Sequence, residues 1–377
     1  MEPSTHALSG AVMACALPQR FRRWWFPVWA AAAAASPDLD VLFVHTPLQY
    51  IEYHRGITHS LLGGLALALL LALPLVLLAK RKADAPPAPV SWSLPAVWGF
   101  GYLLILQHIW LDCMNSYGTQ VFLPFSDYRV RWNALFIVDP MLLLPLLAGI
   151  LFFRKRRSVM IGLLLWTFLY PTGALGVRLA LENHLRTSRL TPEVFTQHLP
   201  AQEAIPARPG PGRQDDVQGV HLVPDAFTPF HWKLILDRGT MWDTAGYTVF
   251  TTAPDVFLSY AKPPRTLWKE LGEKDRMFRV YQHFAVYPAL DRVLPQNGTG
   301  AFPSPSLEMP GLDEYVFSDL RFGSTIPFVD AIQTRRDGQQ INFRIMARIL
   351  PDGEIDSVRF VTTTGAGGDS GWVPPSP

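Results

Sequence analysis

The stretch HRGITHSLLGGLALALLLALPLVLLAKRK, residues 54–82, joins two kinds of sequence that seldom meet. His54, Arg55, Thr58, His59 and Ser60 are polar or ionisable, whereas Leu61 to Ala79 holds no polar side chain at all. Lys80, Arg81 and Lys82 then close the run. About 20 apolar residues suffice to cross the hydrocarbon core of a bilayer as a helix. Ionisable groups at the edge of such a helix are costly unless paired, hydrated or metal-bound, so they point to function. The stretch reads as a membrane helix with chemistry at one end and a basic anchor at the other.

Working outward, four apolar stretches have the length of a span: Ser60–Ala79, Pro95–Met114, Leu135–Phe153 and Val159–Leu181. Ala7–Leu17 and Trp24–Ala35 are shorter, and read as a tilted pair, a re-entrant hairpin or interfacial helices. Basic residues cluster between the runs: Arg20, Arg22 and Arg23; Lys80, Arg81 and Lys82; Arg154, Lys155, Arg156 and Arg157. Such clusters mark cytoplasmic loops. Strict alternation of four spans satisfies both strong clusters. It puts the start of the Ser60 helix, the end of the Pro95 helix and everything after Leu181 on the outer side. His54, His59, His108 and Asp112 then share one face of the membrane. If Arg20–Arg23 is a cytoplasmic loop and both short segments cross, His6, Asp38 and Asp40 join them.

The rest of the 377-residue chain differs in character. A net charge of +2, with no broad basic face, gives no case for nucleic acid. Two cysteines, Cys15 and Cys113, both lie in apolar segments, so no disulfide framework supports the second half. The N-terminus has no basic residue ahead of its apolar run, unlike a cleaved signal peptide. Residues 186–220 read as a Pro/Gly-rich linker. From 221 to 362, β-rich runs alternate with turn signals, giving expected strands at Trp232–Leu236, Tyr247–Thr251, Phe278–Val286, Tyr315–Leu320, Ile341–Ile349 and Ile355–Val361. Asp337-Gly338 and Asp352-Gly353 suit tight hairpin turns. One helix is expected near Leu267–Arg276, and 363–377 reads as a disordered tail. The fold class is therefore α+β: an N-terminal multi-helix transmembrane bundle (1–185), then a soluble, mainly antiparallel β domain.

His108 and Asp112 stand one helical turn apart and share a face, which Asn115 continues. Both can ligate one divalent ion, or the carboxylate can orient the imidazole; a histidine hydrogen-bonded within the helices explains the pair equally. Asp38-Leu39-Asp40 follows Pro37 and precedes Val41-Leu42-Phe43-Val44. Two carboxylates so enclosed favour a ligand role over a polar turn. His54 and His59 would diverge on one helix, so His54 belongs to the loop and His59 to the first helical turn. Arg55 suits an anionic group such as phosphate, which a guanidinium binds in a bidentate way; an interfacial arginine facing headgroups is the plain alternative.

Thr5-His6, Ser36-Pro37-Asp38-Leu39-Asp40, His54-Arg55-Gly56-Ile57-Thr58-His59-Ser60 and His108…Asp112…Gly118 together resemble the YdjM-like family of predicted membrane-bound metal-dependent hydrolases. The match in order and apolar setting covers about Thr5–Pro124, and the HRGxTHS element is its specific part. Asp139-Pro140 and the phrase Phe317-Ser318-Asp319-Leu320-Arg321-Phe322-Gly323 resemble the longer members. Ser36-Pro37 keeps only the proline of the family's usual Leu-Pro. The resemblance implies His6, Asp38, Asp40, His59, His108 and Asp112 as metal ligands, with His54 and Arg55 close by as catalytic residues. Seven His and Asp candidates exceed the needs of one tetrahedral zinc, so one or two divalent ions are expected: zinc first, manganese or iron as alternatives.

The function so implied is hydrolysis of an ester-type bond, phosphoester first, in a lipid or envelope-associated substrate at the outer face of the bacterial inner membrane. The C-terminal domain would then be periplasmic or extracellular. The second class is a non-catalytic metal-binding scaffold or transporter in the lipid bilayer; ligands confined to one edge disfavour transport. Gly368-Asp369-Ser370-Gly371 imitates a serine-protease fragment but sits in tail sequence. Asn297-Gly298-Thr299 reads as a turn, and His184, His198, His221, His231 and His283 as structural or surface residues. No Walker loop, His-Glu-x-x-His or dinucleotide-binding glycine pattern occurs.

Overall fold

The computed structural model describes residues 1–18, 25–81, 93–187, 217–226, 228–250, 254, 257–294, 313–326, 329, 343–361 and 369–376. They form two compact units. One comprises Met1–Phe43, Tyr53–Leu181 and Pro224–His231; the other Val44–Glu52, Glu182–Val223 and Trp232–Pro377. The Arg20–Arg23 cluster, most of the expected linker, and the Asp337-Gly338 and Asn297-Gly298 turns lie outside the described residues.

The first unit is helical. Helix α1 (Pro3–Ala16) packs on α2 (Phe26–Ala35), and a 3-10 helix, Ser36–Phe43, continues from α2. α3 (Pro47–Tyr53) belongs, up to Glu52, to the second unit; in the first, a 3-10 turn at Ile57–His59 leads into α4 (Leu61–Arg81), which packs against α5 (Leu94–Cys113). α6 (Pro140–Ala148) ends in a π-helical turn, Gly149–Phe153, and α7 runs from Arg157 to Thr187. Proline opens α1, α5 and α6, where its missing N–H leaves no helical bond unmade. The α1–α2 contact depends on Gly10: a Cβ there would lie 2.5 Å from both the Ala30 carbonyl oxygen and the Ala34 Cβ.

Two described helices, α5 and α7, are long and apolar enough to cross a membrane, or three if the bent pair ending in α4 counts as one span. The expected span at Leu135–Phe153 is corrected: residues 134–139 are irregular, and the helix is only Pro140–Phe153. The reason is local. Asp139 caps the helix, accepting from Met141 N at 2.9 Å and Leu142 N at 3.1 Å, and so fixes its start late in the apolar run. α6 nonetheless runs back along α7, because Tyr170 donates to Asp139 and Trp166 to the Met141 carbonyl, while Arg157 donates to the Ala16 carbonyl. The start of α7 therefore lies near the end of α1, whereas Tyr170, about 20 Å further along at 1.5 Å per residue, lies beside the start of α6.

Among its described residues the second unit holds a sheet of eight strands in sequence order: β1 (Gly219–Pro224), β2 (His231–Asp237), β3 (Met241–Thr248), β4 (Leu258–Ala261), β5 (Pro288–Leu294), β6 (Asp313–Asp319), β7 (Arg344–Ile349) and β8 (Ile355–Val361). From β3 to β8 every neighbouring pair is antiparallel. α8 (Arg265–Lys274) is the expected helix. The expected strand Phe278–Val286 is instead α9 (Arg276–Phe284). Its buried residues Met277, Phe278, Tyr281 and Phe284 recur at helical spacing, and Asp275 caps it through Phe278 N at 2.9 Å. The expected Tyr247–Thr251 strand lies earlier, in β3, and β1, β4 and β5 were not anticipated.

The end of the chain is not the loose tail its composition implies. Val373 pairs with Val358 and Asp369 with Val361 along the edge of β8. Arg359 grips the Asp369 carboxylate, Arg348 lies 3.9 Å from the Trp372 ring centroid, and Ser376 N donates to Asp275. Ser370 Oγ accepts from Phe360 N, so the protease-like fragment works as an edge clasp.

Candidate metal centre

Asp38, His59, His108 and Asp112 come together from three elements of the first unit. Each offers a ligand atom, and these atoms all lie within 4.8 Å of one another. All four side chains are buried. Asp38 comes from the 3-10 helix after α2, His59 from the 3-10 turn before α4, and His108 and Asp112 from successive turns of α5.

The hydrogen bonds set the imidazoles for ligation. His108 Nδ1 lies 2.7 Å from the Ala34 carbonyl, which only accepts, so Nδ1 carries the proton and Nε2 keeps its lone pair. His59 Nδ1 is 3.0 Å from Thr58 Oγ1 and 3.4 Å from Asp40 Oδ2. Thr58 donates its hydroxyl to Asp40, so it accepts from His59 Nδ1, and His59 Nε2 is again the free donor atom. The two Nε2 atoms face each other at 3.0 Å. Asp38 Oδ1 lies 3.4 Å from His59 Nε2 and 3.6 Å from His108 Nε2. Asp112 Oδ2 lies 3.3 Å and 3.5 Å from the same atoms. Two lone pairs and two carboxylates thus converge on one volume.

That convergence fits a divalent cation. Among the described residues Asp38 Oδ2 is buried without a hydrogen bond, and Asp112 Oδ2 is buried against Arg55, His59 and His108, so two carboxylates converge in an interior where a bound cation would offset the cost of burying them. Burial pushes the Asp40 carboxyl up, but the hydrogen bond with His54 outweighs it and holds the group below its ordinary value. Two imidazoles and two carboxylates make a donor set that zinc, manganese and iron accept; the arrangement does not select among them.

The other anticipated residues surround these four. His6 Nε2 lies 3.2 Å from Asp112 Oδ1, and its ring stacks on His108 with centroids 3.6 Å apart. The Met1 amine also contacts Asp112 Oδ1. Asp40 faces away from the centre toward the histidine loop, bonding His54 Nδ1 at 2.9 Å and Arg55 N at 2.9 Å. Arg55 is 2% exposed and left-handed, with φ of 59°. Its Nε lies 3.0 Å from Asp112 Oδ2, and Nη1 donates to Asn115 Oδ1 at 2.7 Å. The guanidinium is thus turned inward.

Two residues of the neighbourhood escaped the sequence reading. Tyr117 places its ring 5.1 Å from the Arg55 guanidinium and packs edge-on against His54. Arg129, 3% exposed, lies on the same ring and donates to the Gly118 carbonyl at 3.3 Å. A Cβ at Gly118, whose φ is 93°, would meet Arg129 Cβ at 3.0 Å, so glycine suits both the turn and the space. Both residues sit in irregular chain after α5, where no periodicity marks them.

Among known proteins, 135 residues are 32% identical to the uncharacterized protein YfhP of Bacillus subtilis (strain 168). The match takes in 32% of this chain and 34% of the relative, about a third of its length. No solved structure matches the chain. Residues 1–185, which carry every residue of the centre, match the model of the YdjM inner membrane protein family, and this N-terminal part of the chain belongs to that family.

Proposed function

We propose that the protein is a membrane-embedded metal-dependent hydrolase acting on an ester-type bond, phosphoester first, in a lipid or envelope-associated molecule. The observation that carries this reading is the buried set Asp38, His59, His108 and Asp112, whose ligand atoms all lie within 4.8 Å of one another. A divalent ion bound there supplies Lewis acidity and lowers the pKa of bound water. Asp38, His59, His108 and Asp112 would hold it. His6 and Asp40 complete the set if a second ion binds; with one ion, Asp40 orients His59 and His54 from behind, the usual task of a carboxylate paired with a ligating histidine. His54, buried and hydrogen-bonded to Asp40, is the proton-transfer group of this reading. Arg55 positions Asp112 and keeps a positive charge beside the place where an anionic oxygen would sit.

Zinc is the metal we favour. We place the centre at the outer face of the inner membrane, because Lys80–Lys82 and Arg154–Arg157 flank the apolar runs on the other side. Counting metals in detergent-purified wild type, Asp38→Ala and His108→Ala tests the site: each variant should lose most of its bound metal. Unchanged metal in both would remove the centre as drawn. Hydrolysis of a generic phosphoester by wild type, lost in His54→Ala with metal retained, separates enzyme from scaffold. The scaffold reading draws on one observation of its own: the Arg55 guanidinium is engaged by Asp112 and Asn115.

A further inference from the structure

α1, α5 and α7 enclose a groove of about 560 Å³, within the range of small-molecule sites. Leu103, Leu106, Ile161 and Leu164 line it, and Gln107 and Arg157 are its polar residues. At one end Gln107 donates to Thr167 Oγ1 at 2.8 Å, and Trp110 stands 6.0 Å from Phe168, centroid to centroid, so α5 and α7 are tied together there. At the other end Arg157 is exposed, its Nε held by the Ala16 carbonyl at 2.9 Å. Arg154, Lys155 and Arg156 immediately precede it.

Length and charge together identify an occupant. From Phe100 to Trp110 the groove follows α5 for about 15 Å at 1.5 Å per residue. That is about half of a hydrocarbon core of ~30 Å, the depth of one leaflet. Its walls are exposed apolar side chains, Leu103 at 55% and Ile161 at 37%, in helices long enough to span the membrane. Its mouth carries Arg157, the first residue of α7, where an anionic headgroup is attracted and a zwitterionic one is not.

We infer that this groove is a binding site for one anionic phospholipid, an acyl chain lying between α5 and α7 and the headgroup phosphate meeting Arg157. The site is separate from the metal centre, since Arg157 stands at the end of the helices opposite Asp112. Occupancy ties α1 to α7 through the lipid as well as through the Arg157–Ala16 bond.

The test uses the full chain in detergent, offered equal amounts of phosphatidylglycerol and phosphatidylcholine with identical chains, and read by native mass spectrometry. Wild type should retain the anionic lipid about fivefold over the other, the effect of one basic residue near a headgroup. Arg157→Gln should abolish the preference, and Leu103→Trp or Ile161→Trp, which fill the groove, should abolish retention. A monodisperse size-exclusion peak establishes that each variant is folded. Equal retention of both lipids by wild type, or retention untouched by both tryptophan variants, overturns the proposal. Inorganic phosphate added alone should not displace the lipid; full displacement would make the ligand a free anion and overturn it too.

Discussion

Single side chains divide into those that meet at the centre and those that hold them there. Asp40 is the clearest of the second kind, because one carboxylate fixes His54, the Arg55 backbone, Thr58 and His59. Asp40→Asn keeps the size but weakens the hold on the His59 tautomer. We expect a 10–100-fold loss of metal affinity, the range for a partner behind a ligating histidine, measured by chelator competition, with full occupancy restored at excess metal. Affinity equal to wild type would show that Asp40 does not orient the ligands. The polar residues of 54–60 were legible as a group because they interrupt apolar sequence. Their division of labour was not: Asp38 and Asp40 are two residues apart in one segment, and only the 3-10 turn between them sends one to the centre and the other to the histidine loop.

Helices and strands were legible where a single periodicity governs them. α5, α7, β2 and β8 fall close to their expected bounds because uniform apolar runs or clean β-rich segments leave little choice. α9 was misread because its aromatic content favours strand, while its cap and 3.6-residue spacing favour helix, and packing took the helix. α6 was overextended because apolarity marks burial or lipid contact without marking backbone conformation. Between elements, the α1–α2 contact deserves a direct test. Gly10→Leu would force the Ala30 and Ala34 backbone away from α1, at a cost of about 1–3 kcal/mol for overpacking. Ala34 also holds His108, so metal affinity should fall with the thermal midpoint in detergent. A lower midpoint with unchanged affinity would show that the helix contact and the centre are uncoupled.

Considered whole, this is a membrane protein whose N-terminal part belongs to an inner membrane family and carries two to three apolar helices able to span. A dual reporter fused after Thr187 tests the proposed orientation: periplasmic signal is expected, and cytoplasmic signal would put the metal centre on the opposite face. The sheet unit carries its own pH response. Arg359 donates to Asp369 and holds that carboxyl below its ordinary value, so the contact stabilises the clasp above an unfolded carboxyl pKa of about 3.9 and is lost as pH falls through the folded value. Amide exchange at Asp369–Ser376 should therefore stay slow near neutrality and quicken, relative to β6 and after correction for intrinsic rates, below about pH 4. Asp369→Asn should show the quicker exchange already at pH 7; equal protection in the variant would remove the pair as the cause.

The amino-acid order alone carries the division into apolar helices and a β-rich unit, because hydrophobic run length and alternation are properties of neighbouring residues. It also carries the identity of the candidate ligands, since ionisable side chains stand out against apolar sequence. What it does not carry is which of them meet. Asp38, His59 and His108 are separated by long stretches of chain, and their convergence depends on how closely α1, α2, α4 and α5 pack, down to the missing Cβ of Gly10. The inward turn of Arg55, the late start of α6 and the clasp on β8 follow from the same cause. Each is decided by a partner distant in sequence, a bond to Asp112, a cap by Asp139 held by Tyr170, a strand edge left open, and no local pattern encodes such a partner.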